Sequence, residues 1–226
     1  MSQQLLKFLN ELSLNNNKEW MDSHKQRFTT IRGGFLKNVE VILNKLVELD
    51  PALSDLKPKD CIFRQNRDIR FSANKMPYKI NLAAYFAAGG KKSVGPGYYL
   101  HLQPGESFIA GGIWMPSSDV LKKIRQEINY SGKELESILS DPAFKSYFGE
   151  IEGEKLKTSP KGFDGDHPYI HYLRYKSFIV TKRIPDQDVI SENYVNLALQ
   201  SFGMMKPFQD FLYRAVEEVE DGSGLL

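Results

Sequence analysis

The densest group of chemically active side chains in this sequence lies in residues 63–79, FRQNRDIRFSANKMPYK. Five cations stand there beside one carboxylate, Asp68; the cations are Arg64, Arg67, Arg70, Lys75 and Lys79. An arginine guanidinium offers a planar fork of donors that fits carboxylate and phosphate groups, and a lysine ammonium adds a point charge. The segment therefore predicts a local site for a small anionic or phosphorylated ligand, where Tyr78 can add a hydroxyl group or a stacking surface.

Two other interpretations of residues 63–79 stay open at this stage. In the first, Asp68 braces Arg67 and Arg70 in an internal ion-pair network, and the protein is a non-enzymatic structural or protein-interaction domain. In the second, the cations bind single-stranded nucleic acid together with four tyrosines, Tyr78, Tyr98, Tyr99 and Tyr172. The formal net charge is only +2, and no helix-turn-helix, zinc-finger or RNP-type pattern occurs, so nucleic acid is the less favoured alternative.

The histidines give weaker signals. His101 lies in a predicted strand and is a weak candidate for a general acid or base, because imidazole titrates near neutral pH. The segment DGDHPYIH contains Asp166, His167 and His171, which are weak candidates for metal ligands, since histidines four apart share a helix face. Pro168 is typical of a first helical position, and helix capping explains this segment without a metal. We therefore expect no metal site, and the sequence indicates neither a cofactor nor a catalytic residue.

The elements that must position these residues follow an α+β order. Leucine spacing predicts a helix over residues 3–12, and Asn17 is a candidate cap for a second helix, which Gly33 and Gly34 are expected to kink or end. Six short segments then favour strands: CIFR, INLAAYFAA, GYYLHLQP, ESFIAGGIW, EGEKLKTSP and SFIVTKRIP. Pro104 and Gly105 predict a hairpin turn, so neighbouring strands are expected to be antiparallel.

Helical periodicity returns after Pro116 and again from Ser191, with an expected interruption at Gly203 and Pro207. We therefore predict a single α+β domain over residues 1–226, with an antiparallel sheet of five or six strands covered by N- and C-terminal helices. Residues 219–226 are expected to form a flexible tail.

The bulk composition is that of a soluble globular protein. Of the 226 residues, 41% are hydrophobic and 26% are charged, and the single cysteine excludes an intrachain disulfide. No segment is apolar enough to span a bilayer, and the N-terminus lacks the features of a secretory signal. We expect a cytoplasmic protein without membrane association. The sequence indicates no oligomeric state.

Several ordered segments carry a resemblance to a known family. NNNKEWMDSHKQRF, IFRQNRDIRFSANKMPYKINLAAYF, GPGYYLHLQPGESFIAGGIWMP, LKKIRQEI and LKTSPKGFDGDHP together resemble a family of conserved hypothetical proteins of bacteria and fungi, a domain of unknown function. The likeness covers about residues 3–216, and RDIRFSANKMPYK is its most specific block. Met21 and Asn66 depart from the pattern, because the family usually has an aromatic residue at the first position and an aromatic or aliphatic residue at the second. The resemblance implies a single α+β domain of bacterial type, and it implies no reaction.

Overall fold

The computed structural model describes residues 2–217, and helices lie at both ends of this range. The helices are α1 (Ser2–Leu14), α2 (Lys18–Ser23), α3 (Lys25–Leu49), α4 (Pro58–Cys61), α5 (Ser118–Ser140), α6 (Pro142–Phe148), α7 (Ile170–Leu173), α8 (Asp186–Ile190) and α9 (Tyr194–Val216). The strands are β1 (Leu82–Phe86), β2 (Gly97–Leu102), β3 (Phe108–Ile113) and β4 (Phe178–Arg183). Short 3-10 turns occupy Pro51–Leu53 and Gly90–Lys92. The expected flexible tail lies outside the described residues.

The four strands form one sheet in the order β1-β2-β3-β4. β1 pairs with β2 in antiparallel register, with Leu82 opposite Leu102 and Phe86 opposite Tyr98. The predicted turn joins β2 to β3, with Gly105 at a φ of +72° and the amide of Glu106 bonded to the carbonyl of Gln103 at 3.0 Å. The α+β class and the antiparallel sheet are confirmed, and the sheet has four strands within residues 2–217, where five or six were expected.

Two of the six predicted strands do not form ladders. Cys61 is the last residue of α4, where Pro58 favours a first helical turn, and Ile62 makes only an isolated bridge with Ala84. The segment EGEKLKTSP contributes two isolated bridges, one at Glu152 and one at Lys155. That segment is rich in charge and has no alternating apolar face, so no buried surface supports a longer ladder.

Alternation along β2 separates a core face of the sheet from an outward face. Tyr98, Leu100 and Leu102 are fully buried, whereas Tyr99 and His101 are half-buried. On the core face the ring of Phe202 packs against Tyr98, with a centroid distance of 5.1 Å. The outward face thus remains available for polar groups that the core could not accept.

Two long helices continue where the sequence predicted a break. α3 runs through Gly33 and Gly34, because its buried stripe extends on both sides of the pair and outweighs a propensity cost of about 1 kcal/mol for each glycine. That stripe comprises Ile31, Phe35, Val39, Ile42, Leu43 and Leu46. α9 likewise runs through Gly203 and Pro207, where Phe202, Met205, Phe208 and Phe211 are all fully buried. Both predicted interruptions are wrong.

The described chain groups into two compact units. The first holds residues up to 93, 97–111 and 181–204, and the second holds residues 94–96, 112–180 and those from 205 onward. Whether they unfold as one domain stays a prediction. No helix within residues 2–217 combines the length and the apolar character needed to cross a membrane.

Candidate functional site

Residues 63–79 form an irregular hairpin, which we call the basic loop. Its stem is held by a bridge between Asn66 and Tyr78, by an amide bond from Arg67 to the carbonyl of Pro77 at 2.8 Å, and by one from Lys79 to the carbonyl of Gln65 at 2.8 Å. The stem leads directly into β1, so its two ends are anchored at the edge of the sheet.

Two amide side chains that the sequence did not single out fix this stem. Gln65 is buried, and its Nε2 donates to the carbonyls of Lys79 and, at 3.3 Å, of Asn81. Asn16 donates to the carbonyl of Tyr78 and accepts from its amide, both at 3.0 Å, as a paired strand would. The sequence signals a turn at Asn16, yet nothing in it names a partner 62 residues away.

Asp68 pairs with Arg70 at the surface of the loop. Arg70 donates from Nη2 to Oδ2 of Asp68 at 2.7 Å and from Nε to Oδ1 at 3.0 Å. These hydrogen bonds lower the pKa of Asp68 and raise that of Arg70. The two side chains are 45% and 75% exposed, so this pair is not part of an internal network.

The other two cations of the loop tip bind backbone and hydroxyl groups of the loop itself. Arg67 donates to the carbonyl of Met76 and to Oγ of Ser72, each at 3.3 Å. Lys75 donates to the carbonyl of Ile69 at 3.1 Å. The side chain of Phe71, in contrast, is 95% exposed. Arg67, Arg70 and Lys75 therefore all make hydrogen bonds within the loop and brace its tip.

The base of the loop does bring cations together. The ammonium groups of Lys79 and Lys91 lie 4.9 Å and 5.7 Å from the centroid of the Phe63 ring. Burial lowers the pKa of Lys79, and the charges of Arg64 and Lys91 lower it further. We call Arg64, Lys79 and Lys91 the cationic cluster. Within residues 2–217, no carboxylate lies within 4.0 Å of these three cations.

Lys91 is a member of the cluster that sequence reasoning missed. It lies in the 3-10 turn after β1, and its Nζ donates to the carbonyl of Ile62 at 2.8 Å. In the sequence it belongs to GGKKS, a glycine-rich stretch with no apparent link to the basic loop. Only the antiparallel return of β1 beside residues 62–63 places the two segments together.

An aromatic row extends from the cluster across the outward face of the sheet. It consists of Phe63, Tyr99, His101 and Phe108. Tyr99 lies 6.2 Å from Phe63 and 5.7 Å from Phe108 between ring centroids, and His101 stacks on Phe108 at 4.8 Å. All four side chains are half-buried, so the row forms a surface with ring edges and faces partly open to solvent.

Hydrogen bonds hold His101 in one neutral form. Its Nδ1 accepts from Nδ2 of Asn81 at 3.4 Å and lies 3.0 Å from the hydroxyl of Tyr99. Its Nε2 therefore carries the proton and donates to Oε1 of Gln103 at 3.3 Å. Burial lowers the pKa of His101, although the bond to Gln103 and the charge of Glu106 act in the opposite direction. A neutral imidazole of this kind can accept a proton, which is the property a general base needs.

The weak metal candidates do not share a helix face. α7 begins at Ile170, so Pro168 is not its first residue and His167 lies outside the helix. His167 accepts from the amide of Tyr169 at 3.2 Å and donates to Asn129 at 2.9 Å, while the His171 ring lies against Tyr172. In the part of the chain that the structure describes, no three His, Cys, Asp or Glu side chains are grouped to hold a metal ion.

Fold and site together define an α+β protein whose small antiparallel sheet presents an aromatic and polar face beside a cationic loop. The model of a family described as conserved hypothetical protein (DUF2461) matches residues 4–211. The chain belongs to this family, which confirms the resemblance stated above. No curated protein and no solved structure matches the chain.

Proposed function

We propose that the protein binds a small anionic ligand, such as a phosphorylated metabolite, at the base of the basic loop. The observation that carries this proposal is the cationic cluster, in which Lys79 and Lys91 lie over the Phe63 ring and the charge of Arg64 acts on Lys79, without a carboxylate partner in the described part of the chain. The same grouping refines the expected site, because it adds Lys91 to the predicted residues Arg64 and Lys79.

Electrostatics explains why an anion is favoured at this place. Three like charges in one cluster repel each other, and the half-buried position of Lys79 weakens the screening by water. A bound phosphate or carboxylate relieves this repulsion and accepts hydrogen bonds from ammonium and guanidinium groups. Hydrogen bonds to charged groups contribute about 1.5–3 kcal/mol each, which is enough for measurable affinity of a small ligand.

The neighbouring groups suggest the rest of the ligand. The aromatic row offers ring surface next to the charges, and Tyr99 and Asn81 are polar groups at the same face. We therefore expect a ligand with an anionic group and an uncharged, partly flat body. Tyr78 contributes by positioning, since its backbone holds the stem in place. Arg67, Arg70 and Lys75 maintain the shape of the tip through their hydrogen bonds.

Calorimetric titration of the full chain tests the proposal. The probes are pyrophosphate, adenosine monophosphate and glucose 6-phosphate. Adenosine is the uncharged control for the second probe and glucose for the third. We expect at least one phosphorylated probe to bind and its control not to bind. The variant with both Arg64→Gln and Lys79→Gln should bind it at least about tenfold more weakly, from the loss of two charged contacts.

Lys92→Gln is the control, because Lys92 is an exposed neighbour of Lys91 and its replacement removes a positive charge outside the cluster. Its affinity should stay within about twofold of the unchanged protein. Binding of no anion by the unchanged chain, or equal binding by the double variant, would contradict the proposal. A ten-nucleotide single strand completes the set: affinity far above that of the mononucleotide, with a steep salt dependence, would favour nucleic acid instead.

A further inference from the structure

A cavity of about 220 Å³ lies within the second compact unit, where α5 ends and α6 begins. Asp141 caps α6 by accepting from the amide of Phe144 at 2.9 Å, and Gly149 ends it at a φ of +79°. This left-handed turn suits glycine, and nothing lies within 4 Å of the place where its Cβ would stand. Besides residues of α5, α6 and the turn after α6, the cavity is lined by Ile151, Lys155, His171, Tyr172 and Tyr175.

The walls of the cavity are aromatic and apolar. Tyr175, Ile151 and Leu139 are buried, and Tyr172 is half-buried beside them. The ring of His171 lies 3.9 Å from the Tyr172 ring between centroids. Two flat side chains thus border the cavity. A liquid water molecule fills about 30 Å³, so the cavity has the volume of several water molecules and is large enough for a single ring.

Charges of both signs line the same space. Lys145 and Lys155 both line the cavity, and the ammonium group of Lys155 lies 4.3 Å from the centroid of the Tyr175 ring. Within residues 2–217, neither lysine has a carboxylate within 4.0 Å. Glu150 also lines the cavity. Burial raises the pKa of Tyr172, and the negative charges of Glu136 and Glu150 add to the effect.

We propose that this cavity binds a small aromatic monocarboxylate, which is a function separate from anion binding at the basic loop. The two unpaired lysines attract one negative charge, and the tyrosine walls accept a flat ring. Glu150 opposes a second negative charge in the same space, so a carboxylate is preferred over a phosphate dianion. The cavity volume of about 220 Å³ is smaller than that of drug-sized sites, which begin at about 300 Å³. Its size therefore favours a ligand with one ring.

Ligand-observed NMR titration of the full chain at pH 8 tests this inference with three probes that share one benzene ring and differ in their polar group. They are benzoate as the monoanion, benzyl alcohol as the neutral analogue and phenyl phosphate as the dianion. We expect benzoate to bind with a Kd in the low millimolar range or tighter, as suits roughly nine heavy atoms. The other two probes should bind at least about fivefold more weakly.

Three variants locate the binding. Lys145→Gln with Lys155→Gln should weaken benzoate binding about tenfold, whereas Lys157→Gln, an exposed lysine that does not line the cavity, should leave it unchanged. Glu150→Gln should raise the affinity for phenyl phosphate relative to benzoate. The inference fails if benzoate does not bind, if the double variant binds it equally, or if benzyl alcohol binds as well as benzoate. Lys145 and Lys155 are both exposed, so the fold of these variants is expected to stay intact.

Discussion

His101 illustrates how the surroundings of one side chain set its charge. Its Nδ1 accepts hydrogen bonds and its Nε2 donates one, so the ring is satisfied in its neutral form. Burial against Phe108 removes part of its hydration and lowers its pKa. The group is therefore harder to protonate in the folded protein than in the unfolded chain, where the pKa of histidine is about 6.5.

This difference predicts a pH-dependent contribution to stability. The unfolded state takes up a proton more readily, so stability that is present above about pH 6.5 is lost as the pH falls below that value. The loss is about 1.4 kcal/mol for each unit by which the two pKa values differ. In urea titrations at pH 8 and pH 5, the free energy of unfolding should fall less for His101→Gln than for the unchanged protein.

The measurement at pH 8 serves as the control, because imidazole is then neutral in both states and the variant loses only the packing on Phe108 and the hydrogen bonds of the ring. An identical pH dependence in the two proteins would show that His101 does not titrate differently on folding.

Single residues were predictable from the sequence only in part. The cations of the basic loop were found as a group, since charge density is visible in a linear sequence. The sequence did not predict which cations are paired and which belong to the cationic cluster. Arg70 forms an ion pair with Asp68 at the tip, whereas Arg64 and Lys79 belong to the cluster with Lys91 at the base. Gln65 gave no signal at all, because an amide side chain has no periodicity or charge to mark it.

At the scale of the element, α3 shows that a buried stripe can override local breakers. Gly33 is exposed, and nothing lies within 4 Å of the position that a Cβ would take. Gly33→Ala should therefore stabilise the protein by roughly 0.5–1 kcal/mol, since alanine loses less backbone entropy in a helix. A rise in the urea midpoint without a change in the denaturant dependence would be the expected result.

Gly112→Ala is the matched control with the opposite sign. A Cβ at Gly112 would meet the carbonyl oxygen of Phe178 at 2.0 Å, and the residue has a φ of +120°. The same one-carbon change should therefore destabilise the protein by several kcal/mol, which is roughly the range of severe single substitutions. A Gly33→Ala variant as unstable as Gly112→Ala would mean that α3 is broken at the glycine pair.

Elements were predicted well where burial and local propensity agree. The strand β2 and the cap at Asn17, whose side chain accepts from the amide of Trp20 at 2.9 Å, are both as expected. CIFR was misassigned because its apolar residues are buried without a ladder, at the end of α4. Pro207 was misassigned because tertiary packing of α9 outweighs the missing amide hydrogen bond.

At the scale of the whole molecule, the two compact units share three regular elements. β3, β4 and α9 each contribute residues to both units. A backbone element that belongs to two units links their unfolding, so we expect a single cooperative transition, as the single-domain prediction requires. Hydrogen exchange in increasing urea measures it: the most protected amides of Leu82–Phe86 and of Ser118–Ser140 should reach the same opening free energy.

Two distinct opening free energies, each with its own urea dependence, would mean two domains.

The order of elements was enough to predict the α+β class, because helices flank a run of strands. It was not enough to predict the cationic cluster, which needs Lys91 from one segment and Lys79 from another. Long-range grouping of this kind depends on strand pairing, which a single sequence does not reveal.

The bracing of the loop tip has a consequence for the thermodynamics of recognition. Arg67, Arg70 and Lys75 form hydrogen bonds within the loop. Its backbone is therefore ordered when the protein folds rather than when a ligand binds. A preorganised site loses little conformational entropy on binding and needs no rearrangement before contact. Association at the base of this loop is therefore expected to be fast and to have a small entropic penalty.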